Sequence, residues 1–310
     1  MPHWLIKSAA HRAISVLPRR QFWNGLFQKF ITKTTVLHPR LFETKLGECR
    51  RHLDGLFELR PGASDFRALE VGTGWFPALP IGLYICGARE VSTFDIDPLL
   101  SAHRTASLLE YFWHYHESGK LSKFLPYRPE RMALVRELLP VAKRTNPVTL
   151  LARMGIKAFV RGAQQTGLPD RSIDFFFSNG VLEYIPKPIL EGMFAEFSRL
   201  SAEGAVMTHR LNLVDVFSYF DQSITAFNFF RYTAAQWRWR NSPLIWQNRL
   251  RISDYKNLIR QTGFEIVRQE DISGSTEDLA KVPLAPEFKH YTQEDLLVLH
   301  SFITARLVGG

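Results

Sequence analysis

Gly72 and Gly74 close the segment Leu69-Glu70-Val71-Gly72-Thr73-Gly74-Trp75. The residues from Phe66 to Val71 read as a short buried strand, and glycines in the turn after such a strand let the backbone approach a bound nucleotide or amino-acid group closely. Asp95 stands 23 residues after Gly72, in Phe94-Asp95-Ile96-Asp97-Pro98 at the end of a second apolar run. A carboxylate there falls where the two hydroxyls of an adenosine ribose would lie. Asp97 also suits the capping of a following helix. A dinucleotide-binding turn usually carries a third glycine so that the pyrophosphate can sit on the backbone; Phe76 and Pro77 occupy that place here. The pattern therefore points away from NAD and toward an adenosine cofactor without phosphates.

A third motif is Leu168-Pro169-Asp170-Arg171-Ser172-Ile173-Asp174-Phe175-Phe176-Phe177-Ser178-Asn179-Gly180-Val181-Leu182-Glu183-Tyr184-Ile185-Pro186. With it the chain resembles the class I S-adenosylmethionine-dependent methyltransferases over about residues 66–208. The resemblance implies an α/β, Rossmann-like, doubly wound and mostly parallel seven-stranded sheet, with S-adenosylmethionine as cofactor. It implies that Glu70, Gly72 and Gly74 wrap the methionine end, that Asp95 holds the ribose, that Ser178, Asn179 and Gly180 face the reacting methyl group, and that Thr73, Trp75 and Ile96 also line the cofactor site. Two positions depart from the family pattern. The Asp-Ala pair expected at the adenine is Gly162-Ala163 here, which shifts adenine contact to Ala163, Gln164 or backbone groups. The histidine of the family's helix start is Tyr184, so no base is implied there.

Methyl transfer is an in-line displacement, so the protein supplies alignment and, for a hydroxyl acceptor, a base. The candidate base is His209, expected just after the fifth strand at the carboxyl edge of the sheet, with Asp215 to orient it if a helical turn brings the two together. A histidine that merely hydrogen-bonds a strand end is the competing reading. His103, His114 and His116 lack further ligands at metal-binding spacing, and Cys49 and Cys86 show no CxxC or Cys/His pattern, so no metal site and no disulfide framework is expected.

These residues need elements to hold them. Strands are expected at Phe66–Val71, Val91–Phe94, Ile156–Val160, Ile173–Phe177, Ala205–Thr208, Phe264–Val267 and Leu296–Ile303, by short apolar runs bounded by turn residues. Helices are expected at Pro77–Cys86, Pro188–Leu200 and Ser253–Gly263. Residues 1–60 read as a helical N-terminal extension and 61–310 as the cofactor-binding domain, with insertions at about 100–155 and 212–250. The second insertion, rich in aromatic residues from Phe217 to Trp246, is expected to be a helical cap.

The 310 residues, 45% hydrophobic and 22% charged, have the composition of a globular protein with a substantial core. No run approaches the length needed to span a bilayer, and the cysteine usage fits a cytoplasmic chain. The net charge of +9 favours anionic partners without naming one. Three functions stay open: methylation, chiefly on oxygen, of a small-molecule or glycan-like acceptor under the aromatic cap; an RNA-directed methyltransferase, suggested by the basic charge and Trp237-Arg238-Trp239-Arg240; and a non-catalytic binding protein of the same fold, peripheral to a membrane through a basic amphipathic N-terminal helix.

Overall fold

The computed structural model describes residues 36–241 and 246–308; the basic amphipathic N-terminal helix expected at the membrane surface lies outside them. The chain builds one seven-stranded sheet from β1 (Arg67–Val71), β2 (Glu90–Asp95), β3 (Ile156–Val160), β4 (Ile173–Asn179), β5 (Ser201–Asn212), β6 (Phe264–Ser273) and β7 (Val298–Leu307) in the order β3-β2-β1-β4-β5-β7-β6. Neighbours from β3 through β5 pair in parallel, and β7 is antiparallel to both β5 and β6. The central strands carry apolar residues on both faces because both are covered. Phe175 and Phe177 stack at 5.4 Å on one face, while Phe176 meets Phe197 at 4.9 Å on the other.

The first face is covered by α1 (Pro39–Leu59), α2 (Ala78–Ile85), α3 (Ala102–Glu117), α4 (Met132–Ala142) and α5 (Pro147–Ala152), which share one core with the sheet. The described helix of the expected extension is thus a layer of the main domain: Phe42, Leu46, Leu53 and Leu56 of α1 are fully buried in that core. The residues expected as the first insertion, about 100–155, form α3 to α5 and the short helical turns between them. The second face is covered by α6 (Lys187–Leu200) and α8 (Ile252–Gln261).

The largest difference from the sequence reading concerns residues 212–250, whose described part is mostly not helical. Among the described residues there, the α-helical part is α7 (Ala234–Arg240), and the rest is two 3-10 turns and loop. Closely spaced aromatics such as Phe227, Phe229 and Phe230 do not form a 3.6-residue stripe. Instead Phe217, Phe227, Phe229, Phe230 and Trp237 fill a separate small core with Leu279 of α9 (Thr276–Ala280), Val282, Phe288 and Leu296. Leu296 belongs to α10 (Gln293–Leu297), so the last strand starts at Val298 rather than at Leu296. The Thr292 hydroxyl accepting from the Asp295 amide starts that helical turn where apolar content alone suggested a strand. β5 is also longer than expected, reaching Asn212.

α1 lies close to the sheet, and polar groups fill the space beneath it. A Cβ on Gly55 would lie 2.8 Å from Thr208 Cγ2 and 3.1 Å from Thr304 Oγ1. His52 Nδ1 is 2.8 Å from Thr208 Oγ1. Further along, the Thr93 hydroxyl donates to Glu70 Oε2 at 2.5 Å and also pairs with the Thr73 hydroxyl. Burial pushes the Glu70 carboxyl up from 4.5 to about 8, with the Thr93 bond and Lys45 opposing.

Two outcomes are expected. Gly55→Ala forces α1 off β5 and β7 and costs about 1–3 kcal/mol in urea unfolding. For Glu70, between pH 4.5 and about 8 the folded chain keeps a proton that the unfolded chain releases, so stability falls as pH rises through that window. Glu70→Gln reduces that slope in denaturant titrations at pH 5, 7 and 9; an unchanged slope contradicts the assignment.

Candidate active site

The carboxyl ends of β1, β2 and β4 converge on a cavity of about 490 Å³, within the usual size of a small-molecule site. Gly72 and Gly74 both adopt left-handed backbone, at φ of 88° and 65°. They differ in surroundings. A Cβ on Gly72 would overlap Val181 Cγ2, whereas one on Gly74 would meet no heavy atom within 4 Å. The first glycine lets two turns cross, and the second leaves backbone open to the cavity. The Gly72 amide donates to the Phe94 carbonyl at 2.8 Å, which fixes the turn against the end of β2. There the Asp95 carboxylate accepts from the Gly74 amide at 2.9 Å and from the Asp97 amide at 3.1 Å. Burial raises the Asp95 carboxyl above its ordinary value while those amides oppose the rise.

Of the residues expected to hold the cofactor, the cavity gathers Gly72, Gly74, Trp75, Asp95, Ile96, Ala163 and Gln164. Ile96 is 77% exposed at its rim. Glu70 and Thr73 instead brace the turn from below through Thr93, and Thr73 borders an adjoining cavity of about 230 Å³ with Asp97 and Asn146. Ser178, Asn179 and Gly180 do not line the larger cavity. Its opposite wall is Val181, Tyr184, Ile185, Pro186, Ile189 and Met193, from the turn after β4 and the first turns of α6. The apolar spacing of Ile189 and Met193 was the available signal for that wall. Arg161, which lines the cavity and lies over the Phe159 ring at 5.0 Å, carried none. A cavity of about 580 Å³, lined by Asp170, Arg199, Gly263 and Leu307, sits at the opposite edge of the sheet, away from the strand ends where ligands of such folds bind.

The structure does not bring His209 and Asp215 together. Because β5 continues to Asn212, His209 lies inside the sheet and not beyond it. It is fully buried, its Nδ1 is 2.8 Å from Ser178 Oγ, and its ring meets Phe194 at 5.7 Å. Desolvation lowers it to about 3. Asp215 caps a 3-10 turn, accepting from the Phe217 amide at 2.9 Å and from Asn228 Nδ2 at 3.1 Å. Ser178 Oγ and His209 Nδ1 thus pair across β4 and β5, and neither residue lines the cavity.

The turn around Phe76 also bears on the choice of cofactor. Phe76 is buried in the core beneath the turn, and the Ala78 amide donates to its carbonyl at 2.8 Å. Pro77 and Pro80 have no N–H to offer, so the start of α2 presents fewer amides to a pyrophosphate than a helix start ordinarily does.

No family model and no curated protein matches the sequence. Among solved structures, the chain is similar to geranyl diphosphate C-methyltransferase from Streptomyces coelicolor A3(2) in complex with Mg2+, geranyl diphosphate and S-adenosyl-L-homocysteine, at 12% identity and a TM-score of 0.46, over 87% of this chain and 85% of that one. It is similar to an S-adenosylmethionine-dependent methyltransferase from Mesorhizobium loti at 12% identity and a TM-score of 0.43, over 82% and 96%. It is also similar to the 4+2 cyclase SpnF at 15% identity and a TM-score of 0.44, over 84% and 81%. These likenesses concern the fold alone. By its own strand order, its reversed last strand and the glycine turn after β1, the chain has the class I S-adenosylmethionine-dependent methyltransferase fold.

Proposed function

We propose that this chain is an S-adenosylmethionine-dependent methyltransferase that methylates an oxygen of a small-molecule or glycan-like acceptor. The observation that carries the reading is the link between the Gly74 amide and the Asp95 carboxylate at the floor of a largely apolar cavity. A glycine turn with open space, a carboxylate and an apolar slot follow one another there in the order in which a methionine end, a ribose and an adenine would need them. Gly72, Gly74 and Trp75 would hold the first, Asp95 the second, and Ile96, Ala163, Gln164 and Arg161 the third.

When bound, the cofactor supplies an electrophilic methyl group on a sulfonium sulfur. The chain's own part is to align and to exclude water. Asp95 accepts hydrogen bonds from hydroxyls, and the apolar wall of Val181, Ile185 and Met193 keeps water from the slot. The prolines and Phe76 at the start of α2 favour a cofactor without phosphates. Phe217, Phe227, Phe229, Phe230 and Trp237 are committed to a core of their own and do not offer their rings to an acceptor. Trp237 is buried within it, so the Trp237-Arg238-Trp239-Arg240 run does not present two aromatic faces to single-stranded bases, and the small-molecule reading is favoured over an RNA-directed one.

Thermal unfolding with S-adenosylhomocysteine, S-adenosylmethionine or NAD tests this reading. At ligand near 100 times its Kd, binding adds about 2.7 kcal/mol and raises Tm by roughly 5 °C. A rise with both adenosyl ligands, lost in Asp95→Ala and absent with NAD, is the expected result. No rise with either adenosyl ligand overturns the reading.

A further inference from the structure

Glu183 sits in the 3-10 turn Leu182–Tyr184 after β4 and is 1% exposed. Neither of its carboxyl oxygens has a hydrogen-bond partner. Among the described residues it is alone in this: Glu70 is bonded by Thr93, Asp95 by two amides, and Asp215 by the Phe217 amide and Asn228. An acid buried for packing alone would cost free energy that an apolar residue would not. Its surroundings are built for something polar. A Cβ on Gly180 would lie 3.5 Å from Glu183 Oε1 and 3.1 Å from Arg210 Nη1, so carboxyl and guanidinium flank the same turn. Asn179 is directly paired with Arg210 in the sheet, and its side chain is turned to Glu48 and His52 under α1. Tyr219, half exposed, donates to Asn212 Oδ1 at 3.3 Å at the outer edge. The next residue, Tyr184, lines the cofactor cavity, so this cluster lies on the other side of a single turn from the proposed methyl donor.

We propose that Glu183 is the general base of the reaction, taking the proton of an alcohol or phenol acceptor bound between the turn after β4 and the end of β5. The proposal rests on the methyltransferase reading above and names its acceptor class. The acceptor O–H bond breaks and its proton goes to a Glu183 oxygen. The acceptor oxygen forms the new bond to the methyl carbon while the carbon–sulfur bond breaks, its electron pair staying on sulfur, and Glu183 then gives the proton to water. Arg210 is the positioning residue, opposing the cost of the carboxylate charge.

The proton balance of the site agrees with this geometry. Burial pushes Glu183 up from 4.5 to about 8, with the nearby amide of Glu183 itself, the Arg210 guanidinium and the nearby amide of Asn212 opposing the rise. The other groups facing it are Tyr184 on its own turn, Tyr219 after β5 and Tyr255 from α8, with His300 of β7 beyond Arg210. A base placed there is fully available only above about pH 8.

The test uses the whole chain. Calorimetry with S-adenosylhomocysteine comes first, and then tritium transfer from labelled S-adenosylmethionine to a panel of alcohols and phenols from pH 6 to 10. Glu183→Gln is expected to bind S-adenosylhomocysteine within about twofold of the parent and to lose kcat on the order of 10²- to 10⁴-fold, with the alkaline rise gone. Glu183→Asp restores part of the rate with the rise intact, and Arg210→Gln moves the rise to higher pH; these two keep the proposal testable if Glu183→Gln does not fold. Turnover and pH profile unchanged in Glu183→Gln, or a rise that Arg210→Gln leaves in place, overturns the proposal. Binding of S-adenosylhomocysteine with no alcohol or phenol accepting methyl also overturns it and leaves the cofactor reading standing, whereas no binding overturns that reading too.

Discussion

Where the turn after β1 crosses the turn after β4 there is no room for a side chain, and the site depends on that crossing. Gly72 meets Val181 so closely that any Cβ would overlap its methyl group, at a φ of 88° that other residues rarely hold. Because the turns touch, the chain leaving β4 is forced away from the sheet, and Tyr184, Ile185 and the start of α6 become the far wall of the cavity. Because the Gly72 amide is spent on the Phe94 carbonyl, the end of β2 comes to the same point and Asp95 reaches Gly74. One missing Cβ thus brings three strand ends to one cavity.

The space under α1 is the other side of this arrangement. A helix with Gly55 against the sheet comes near enough to bury Glu70, His52, Thr208 and Thr304. Pairing answers most of the cost: Thr93 for Glu70, and Thr208 for His52. The helix also reaches the strand ends, since Glu48 accepts from Asn179 Nδ2 at 2.8 Å. Asn179, the last residue of β4, is thus held by its nitrogen, and its side chain also lies beside the His52 ring beneath α1.

Much of this was legible in the sequence, because it rests on short-range signals. Apolar runs bounded by glycine gave β1 to β4 within a residue or two, and the glycines with Asp95 marked the cavity's floor. What was not legible depended on tertiary geometry. His209 looked like a strand-end residue because the apolar run stops at Thr208; β5 continues because Arg210 and Asn212 pair with β7 regardless of their polarity. The aromatic run from Phe217 to Trp237 has the composition of a cap, yet composition does not say whether rings face a ligand or one another, and its partners at Leu279, Val282 and Phe288 lie about fifty residues further on. Glu183 stood in plain view inside the third motif, but only burial distinguishes a turn-forming acid from an unpartnered one.

That distinction has a physical basis that separates Glu183 from His209. Both are buried, and desolvation acts on both, but in opposite senses for catalysis. It drives His209 down to about 3, where it is neutral at every working pH, and its one bonded nitrogen is already held by Ser178. A proton taken by His209 would have to be carried as a charge inside the sheet with no partner near. The same desolvation brings Glu183 up to about 8, where losing and regaining a proton cost similar free energies near neutrality, and Arg210 lies beside it to meet the charge when it forms. Burial that makes one residue inert therefore tunes the other, and the difference lies in where each stands: His209 in the ladder between β4 and β5, Glu183 one turn beyond it, next to the residue that walls the cavity.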